Sequence, residues 1–132
     1  MASLDVHLVT PEREVWSGPA QMVVAHGIEG DVGILTGHTP MLIRLAVAPL
    51  RIQHEDGHWE APVVDGGFLH VTTGEESTRV DVLASGAELE AEIDRDAARA
   101  RVSELEARLQ QEDDDAVRDE LDRARARAGS SD

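Results

Sequence analysis

A mainly β chain with a helical appendage is predicted by three observations. Short apolar–polar alternations recur as far as Ala84, turn residues separate them, and the composition then changes abruptly. Alternation with period two marks half-buried strands, and short strands at regular spacing mark an antiparallel sandwich or barrel. Beyond Glu88 proline disappears, glycine is absent until Gly129, and Ala, Glu and Arg dominate. Apolar residues there recur at helical spacing. The change falls at Ser85-Gly86, so the expected domains are 1–87 and 88–132.

Leu4, Val6 and Leu8 alternate with Asp5 and His7, and Thr10-Pro11 closes that strand. Val15 to Pro19 reads as a short strand and a turn, with Trp16 in the core or on its rim. Ala20 to Ala25 reads as a strand leading to Gly27, Gly30, Gly33 and Gly37, four glycines within eleven residues. Glycine reaches positive φ and lets backbone approach another surface, so this stretch reads as a shaped loop, a place where contact function sits. A phosphate cradle would want a basic neighbour, and here Glu29 and Asp31 stand at the tip instead. That leaves a plain turn or a docking loop for a polar partner, with His38 at its base as a loop hydrogen-bonder. Met41 to Leu45 is the strand after it.

Pro49 is expected to open a strand over Leu50 to His54, and Asp56-Gly57 to turn it back toward Trp59 to Val64, where Pro62 signals an edge or a bulge. His54 and His58 flank that turn; the sequence places no third ligand beside them, so they read as solvated hairpin residues. Gly66-Gly67 reads as a tight corner before Phe68 to Val71. Gly74 to Ser77 is a turn, and Val80, Val82 and Ala84 alternate with Asp81 and Leu83 in the last strand. Periodicity alone gives eight or nine strands.

Asp94 is a good N-cap for a helix over 95–110, on which Ala98, Val102, Leu105 and Leu109 form one narrow face. Asp114 or Asp115 caps a second helix carrying Val117, Leu121, Ala124 and Ala128 at the same spacing. Matched stripes and a short link predict an antiparallel two-helix hairpin. Residues 129–132 are expected to fray. The second stripe is thin, and an isolated helix of this length is marginal in water, so it needs a surface to lie on.

The formal net charge is −15, and all twelve basic residues are Arg. Such acidity argues against nucleic acid and against direct adhesion to anionic lipid. Cysteine is absent, which removes disulfides and thiolate metal sites; no metal and no cofactor are expected. No apolar run of spanning length and no signal peptide are visible, so a cytoplasmic chain is expected that meets a membrane only through partners. The few aromatics, Trp16, Trp59 and Phe68, imply an aliphatic core and disfavour a carbohydrate platform. His38 with Asp31 or Glu29 is the nearest thing to an acid–base pair, and no nucleophile accompanies it.

Three blocks in order carry a resemblance over nearly the whole chain. They are Gly27-x-x-Gly30-x-x-Gly33-Ile34-x-x-Gly37-His38-x-Pro40-x-Leu42, then Asp65-Gly66-Gly67-Phe68-Leu69-His70-Val71, then Val80 to Ala84 followed by Glu92-Ile93-Asp94. Together they resemble the epsilon subunit of the bacterial rotary F-type ATP synthase. The resemblance implies an N-terminal antiparallel β-sandwich of about ten strands and a C-terminal helical hairpin. It implies a non-catalytic, peripheral central-stalk subunit at the cytoplasmic face of the plasma membrane, monomeric when isolated. Its partners would be the gamma subunit, the c-subunit ring and the alpha/beta catalytic head, coupled during proton-driven ATP synthesis. Ring contact would fall to Glu29, Gly30, Asp31, Val32 and His38. The hairpin, through Val117, Arg118, Leu121, Arg123, Arg125 and Arg127, would restrain ATP hydrolysis by meeting an acidic segment of the catalytic subunit. Some relatives bind ATP through Ile-Asp-x-x-Arg-Ala; here the stretch is Ile93-Asp94-Arg95-Asp96-Ala97-Ala98. Asp94 matches, Ala97 replaces the arginine, and Asp96 adds negative charge, so weak or absent binding is expected. The alternative is a free-standing nucleotide-sensing module, which would elute alone rather than with a membrane-bound ATPase.

Overall fold

A computed structural model describes residues 3–129. The chain forms two compact units, 1–90 and 91–132. The first holds ten strands: β1 (Leu4–Val9), β2 (Glu14–Ala20), β3 (Met22–Gly27), β4 (Gly30–Leu35), β5 (Met41–Pro49), β6 (Arg51–Gln53), β7 (Trp59–Glu60), β8 (Val63–Thr73), β9 (Thr78–Ala84) and β10 (Ala87–Glu88). They form one hydrogen-bonded sheet in the order β2-β1-β9-β8-β5-β3-β6-β7, with β10 added to β8 and β4 to β3. The pairing is antiparallel with one exception, since β1 and β9 run parallel. The first unit runs to Glu90, against a sequence expectation of 87, because β10 pairs with β8 after the Ser85-Gly86 turn.

The core is built from rows across the sheet. Val6, Val80 and Val71 are register neighbours, as are Leu8, Val82 and Leu69, and all six are buried. Val23, Ala25, Ile34, Leu45 and Ile52 complete the same cluster from β3 to β6. Every side chain of that cluster is aliphatic, and Trp16 packs on it half-buried. Thr78 is buried with it, and its hydroxyl accepts the Gly37 N–H at 2.7 Å.

Four local expectations are corrected. The glycine stretch is not an irregular loop: Gly30–Leu35 is β4, hydrogen-bonded along the whole of β3. Glycine permits the hairpin geometry at its tip, where Gly30 has φ 137°, yet leaves Val32 and Ile34 free to alternate as a strand. Ser17 to Pro19 continues β2 instead of turning, which proline tolerates because β2 is an edge strand. Pro49 closes the nine-residue β5 rather than opening β6. Gly66 and Gly67 lie inside β8, the longest strand, and not at a corner before it.

That last correction matters most. Gly67 has φ 111°, and a Cβ there would fall 2.7 Å from Ala84 Cα and closer still to the Leu83 carbonyl oxygen. Only glycine lets β8 pass β9 at this distance. At this point β8 exchanges its neighbour on that side, from β10 at Val63 and Val64 to β9 from Gly67 onward.

The second unit is a helical hairpin, α1 (Arg95–Gln111) and α2 (Asp115–Ala128), preceded by a 3-10 turn at Glu90–Glu92. Asp94 caps α1, its carboxylate accepting from the Ala97 N–H at 3.0 Å. Asp114 caps α2 through the Ala116 N–H at 2.9 Å. Gly129, at φ 72°, closes α2 in the left-handed conformation, so this residue caps a helix where fraying was expected; 130–132 lie outside the described residues. Leu105, Val117, Leu121 and Ala124 form the hairpin's core, with Val102 and Leu109 packed on it.

Gly67→Ala is expected to destabilise the chain by about 2–4 kcal/mol, since positive φ and backbone overlap act together. Urea unfolding followed by circular dichroism measures this; Gly74→Ala, with no backbone overlap, should cost far less.

Candidate functional site

The β3–β4 tip is built by the ladder itself. Gly27 pairs with Gly30, so Ile28-Glu29 forms the two-residue loop of a hairpin. Ile28, Glu29, Gly30 and Asp31 are exposed there and Val32 is half-buried. With Leu42 and Arg44 of β5 they line a cleft of about 350 Å³. Four of the five residues assigned to ring contact thus come together. His38 does not line this cleft; its carbonyl accepts from the Thr73 hydroxyl at 2.5 Å, and its Nδ1 lies 2.7 Å from the Thr39 carbonyl oxygen.

Asp31 has an imidazole partner that the sequence reading missed. His26 Nδ1 lies 2.6 Å from its Oδ1, because the two residues are cross-strand partners. The acid–base pairing considered for His38 and Asp31 therefore falls to His26. Hairpin register would have revealed it, had the glycine stretch been read as a strand.

Beside the tip, the outer face of the sheet carries three exposed apolar side chains among polar ones, with Arg44 next to Phe68 and His70 next to Leu42. Phe68 and Leu83 are register partners and Leu42 lies on the same face of β5; they are 48%, 56% and 65% exposed. A second shallow cleft of about 420 Å³ runs from Val9, Thr10 and Pro11 to Phe68 and Leu83. Exposed large side chains grouped in this way mark an interaction surface. Sequence alternation placed Leu83 out of phase with Val80 and Val82 without indicating what it faces.

In the hairpin, Val117 and Leu121 are buried, while Arg118, Arg123 and Arg125 are exposed and Arg127 is half-buried. Arg118 pairs with Asp113 and Asp115, and Arg125 reaches Glu106 of α1 at 3.2 Å. Arg101 bridges the helices by meeting Glu120 at 2.5 Å and Glu104 at 2.8 Å. Its hydrogen bond to Glu120, then that to Glu104, raises its pKa above the usual arginine value. Arg79 is raised in the same way by its bond to Asp81. These groups are solvent-exposed, so such pairs fix geometry more than they stabilise.

Asp94 is occupied as the α1 cap, and the neighbouring Arg99 is turned to Asp96 at 3.1 Å. Across the sandwich, the β6–β7 hairpin brings Glu60 beside His54 and His58, a third donor that the sequence reading did not place. Asp56 lies next to them. Its carboxylate is held below the usual range, first by the His58 backbone N–H and then by the His58 ring.

The β-sandwich domain of the ATP synthase delta/epsilon chain matches residues 3–90. This chain belongs to that family. It is 40% identical over 109 residues to an ATP synthase epsilon chain of Brevibacillus brevis, spanning 83% of this chain and 80% of the relative. It is 46% identical over 106 residues to that of Thermobifida fusca, spanning 78% and 74%. A solved chain in the Euglena gracilis mitochondrial ATP synthase, described as OSCP/F1/c-ring, superposes with TM-score 0.77 at 28% identity, over 96% of this chain and 77% of that one. Within the family's architecture, no helix among the described residues is long and apolar enough to cross a membrane.

Calorimetry of the chain with MgATP is expected to give no saturable binding below about millimolar concentration, since Asp94 is spent on its cap and Ala97 offers no cation. A micromolar isotherm lost in Asp94→Ala would refute this.

Proposed function

We propose that the chain serves as the epsilon subunit of a bacterial rotary ATP synthase, a non-catalytic part of the central stalk at the cytoplasmic face of the plasma membrane. Membrane association comes through its partners, the gamma subunit and the c-subunit ring. The relatives' shared name supports this, as does the likeness to a chain of an F1/c-ring complex. The observation that carries it within the molecule is an acidic hairpin tip set beside an exposed apolar strip. An acidic tip suits loops bearing Arg or Lys, and we assign Glu29, Gly30, Asp31 and Val32 to the ring, with His38 at the base of the same segment. An apolar strip suits a permanent neighbour, and we assign Leu42, Phe68 and Leu83 to the gamma subunit.

The hairpin supplies regulation in this scheme. Its core has few large side chains, each contributing roughly 1.5–3 kcal/mol when fully buried. Its charge pairs lie at the surface and are worth ~0–1 kcal/mol each. Opening it therefore costs little, and α2 carries cations that an acidic segment of the alpha/beta head would accept. Val117 and Leu121 hold α2 closed; Arg118, Arg123, Arg125 and Arg127 meet the head when it opens. A difference of a few kcal/mol between such states lets a partner shift the population.

Two measurements test this. With Glu29→Arg and Asp31→Arg combined, proton-driven ATP synthesis by membranes is expected to fall several-fold, while the isolated chain unfolds at an unchanged midpoint; rim charges affect partners more than folds. Wild-type coupling would remove the ring assignment. A chain ending at Glu92 is expected to assemble normally and to raise ATP hydrolysis several-fold, with synthesis changed less. Unchanged hydrolysis in an assembled complex makes the hairpin passive, and failed assembly makes it structural.

A further inference from the structure

The register of the β6–β7 hairpin gathers three donors. Ile52 pairs with Glu60 and Gln53 with Trp59, so the next residues along, His54 and His58, close the ladder; the His54 N–H donates to the His58 carbonyl at 2.8 Å. Cross-strand partners share a face, and so do residues two apart on one strand. His54, His58 and Glu60 therefore project together. One donor atom from each lies within 4.8 Å of the others, and among the described residues no other such trio of His, Cys, Asp or Glu converges.

We propose that His54, His58 and Glu60 form a binding site for a borderline divalent transition cation, with Zn²⁺ the natural probe. Two imidazoles and one carboxylate are a common three-ligand set for such an ion, a water completing the tetrahedron. Hard cations such as Mg²⁺ and Ca²⁺ want more oxygens than this site offers.

Two of the ligands are already placed. His54 Nε2 stands 2.9 Å from Glu60 Oε1, with side chains 20% and 28% exposed, and Trp16 packs edge-on against the His54 ring. Tetrahedral coordination at about 2.0–2.2 Å puts neighbouring ligand atoms roughly 3.3–3.6 Å apart, so this pair needs only to part slightly. The third ligand is the adjustable one. The His58 ring now stacks on that of His54, centroids 4.0 Å apart, and a metal needs it to swing so that both in-plane lone pairs converge. His58 lies on the turn with a side chain 59% exposed, so its ring has room to swing about the Asp56 contact. Asp56 assists it. Its Oδ1 lies 2.5 Å from His58 Nδ1, the carboxylate–histidine arrangement that fixes Nδ1–H and leaves Nε2 as the ligand. On binding, the His54 ring takes the tautomer with its proton on Nδ1, so that Nε2 faces the cation.

The site is separate from the acidic tip and the apolar strip, and it does not depend on the stalk assignment. The test is isothermal titration calorimetry of the full chain with Zn²⁺, paired with NMR of the imidazole nitrogens. The expected result is about one Zn²⁺ per chain at micromolar affinity, with shifts confined to the His54 and His58 rings. His58→Ala and Glu60→Gln should each weaken binding at least about tenfold, while His70→Ala, on an exposed face elsewhere, should leave it unchanged. Both weakening variants keep the sandwich core intact, and their unfolding midpoints without metal check this. Absence of micromolar binding, or binding that survives His58→Ala and Glu60→Gln, overturns the proposal.

Discussion

Backbone contact at Gly67 is the constraint on which the sandwich depends. β8 is the strand that touches most of the sheet, since it pairs with β5, β9 and β10. It exchanges β10 for β9 within a few residues, and for that the chain must bend while keeping its ladder to β5. The pairings Leu45–Gly67 and Val47–Asp65 show the ladder held on both sides of the bend. Two successive residues at positive φ, Gly66 and Gly67, make the bend, and the absence of a Cβ makes the close approach. Everything downstream follows in space. The bend directs Phe68 onto the outer face beside Leu83, while Leu69 and Val71 enter the core rows.

The apolar strip is the other side of that arrangement. An aliphatic core from short strands fills itself with Val, Leu, Ile and Ala, and it leaves the chain's one Phe outside. Burying aromatic area is the largest single contribution a small core can make. Leaving Phe68 48% exposed beside Leu83 makes sense where a partner surface completes it. The same logic separates Phe68 from Trp59, whose exposed ring on the short β7 is covered in part by the Arg51 guanidinium, 5.0 Å from its centroid.

What was legible in the sequence follows the range of each interaction. The helical unit was readable almost to the residue, because caps and stripes are local: Asp94 and Asp114 accept from amides two or three residues on. β1 and β9 were readable from alternation, but their parallel pairing was not, since nothing in either strand encodes its neighbour. Glycine was over-read. In Gly30–Leu35 and Gly66-Gly67 it was taken to interrupt a strand, whereas it let a strand turn tightly or pass closely. That one misjudgement hid both the His26–Asp31 contact and the position of Phe68. His54, His58 and Glu60 were missed differently: the turn was recognised, and only its register places the third donor.

The two units are stabilised on different principles, and this bears on the proposed regulation. In the sandwich, long-range pairing locks the inner strands by neighbours on both sides, so removing one contact leaves the others in place. In the hairpin, a core centred on Leu105, Val117 and Leu121 is bordered by Arg101–Glu120 and Arg125–Glu106, pairs that water and salt weaken. Arg118 and Arg125 of α2 pair there with exposed carboxylates, an exchange that costs little to make elsewhere. Alanine at 124, 126 and 128 lowers the apolar area lost when α2 separates, yet keeps helix propensity high, so the helix itself is preserved better than its packing. A segment of that kind keeps its helical form when its packing is removed, which is what the proposed switch against a larger partner requires.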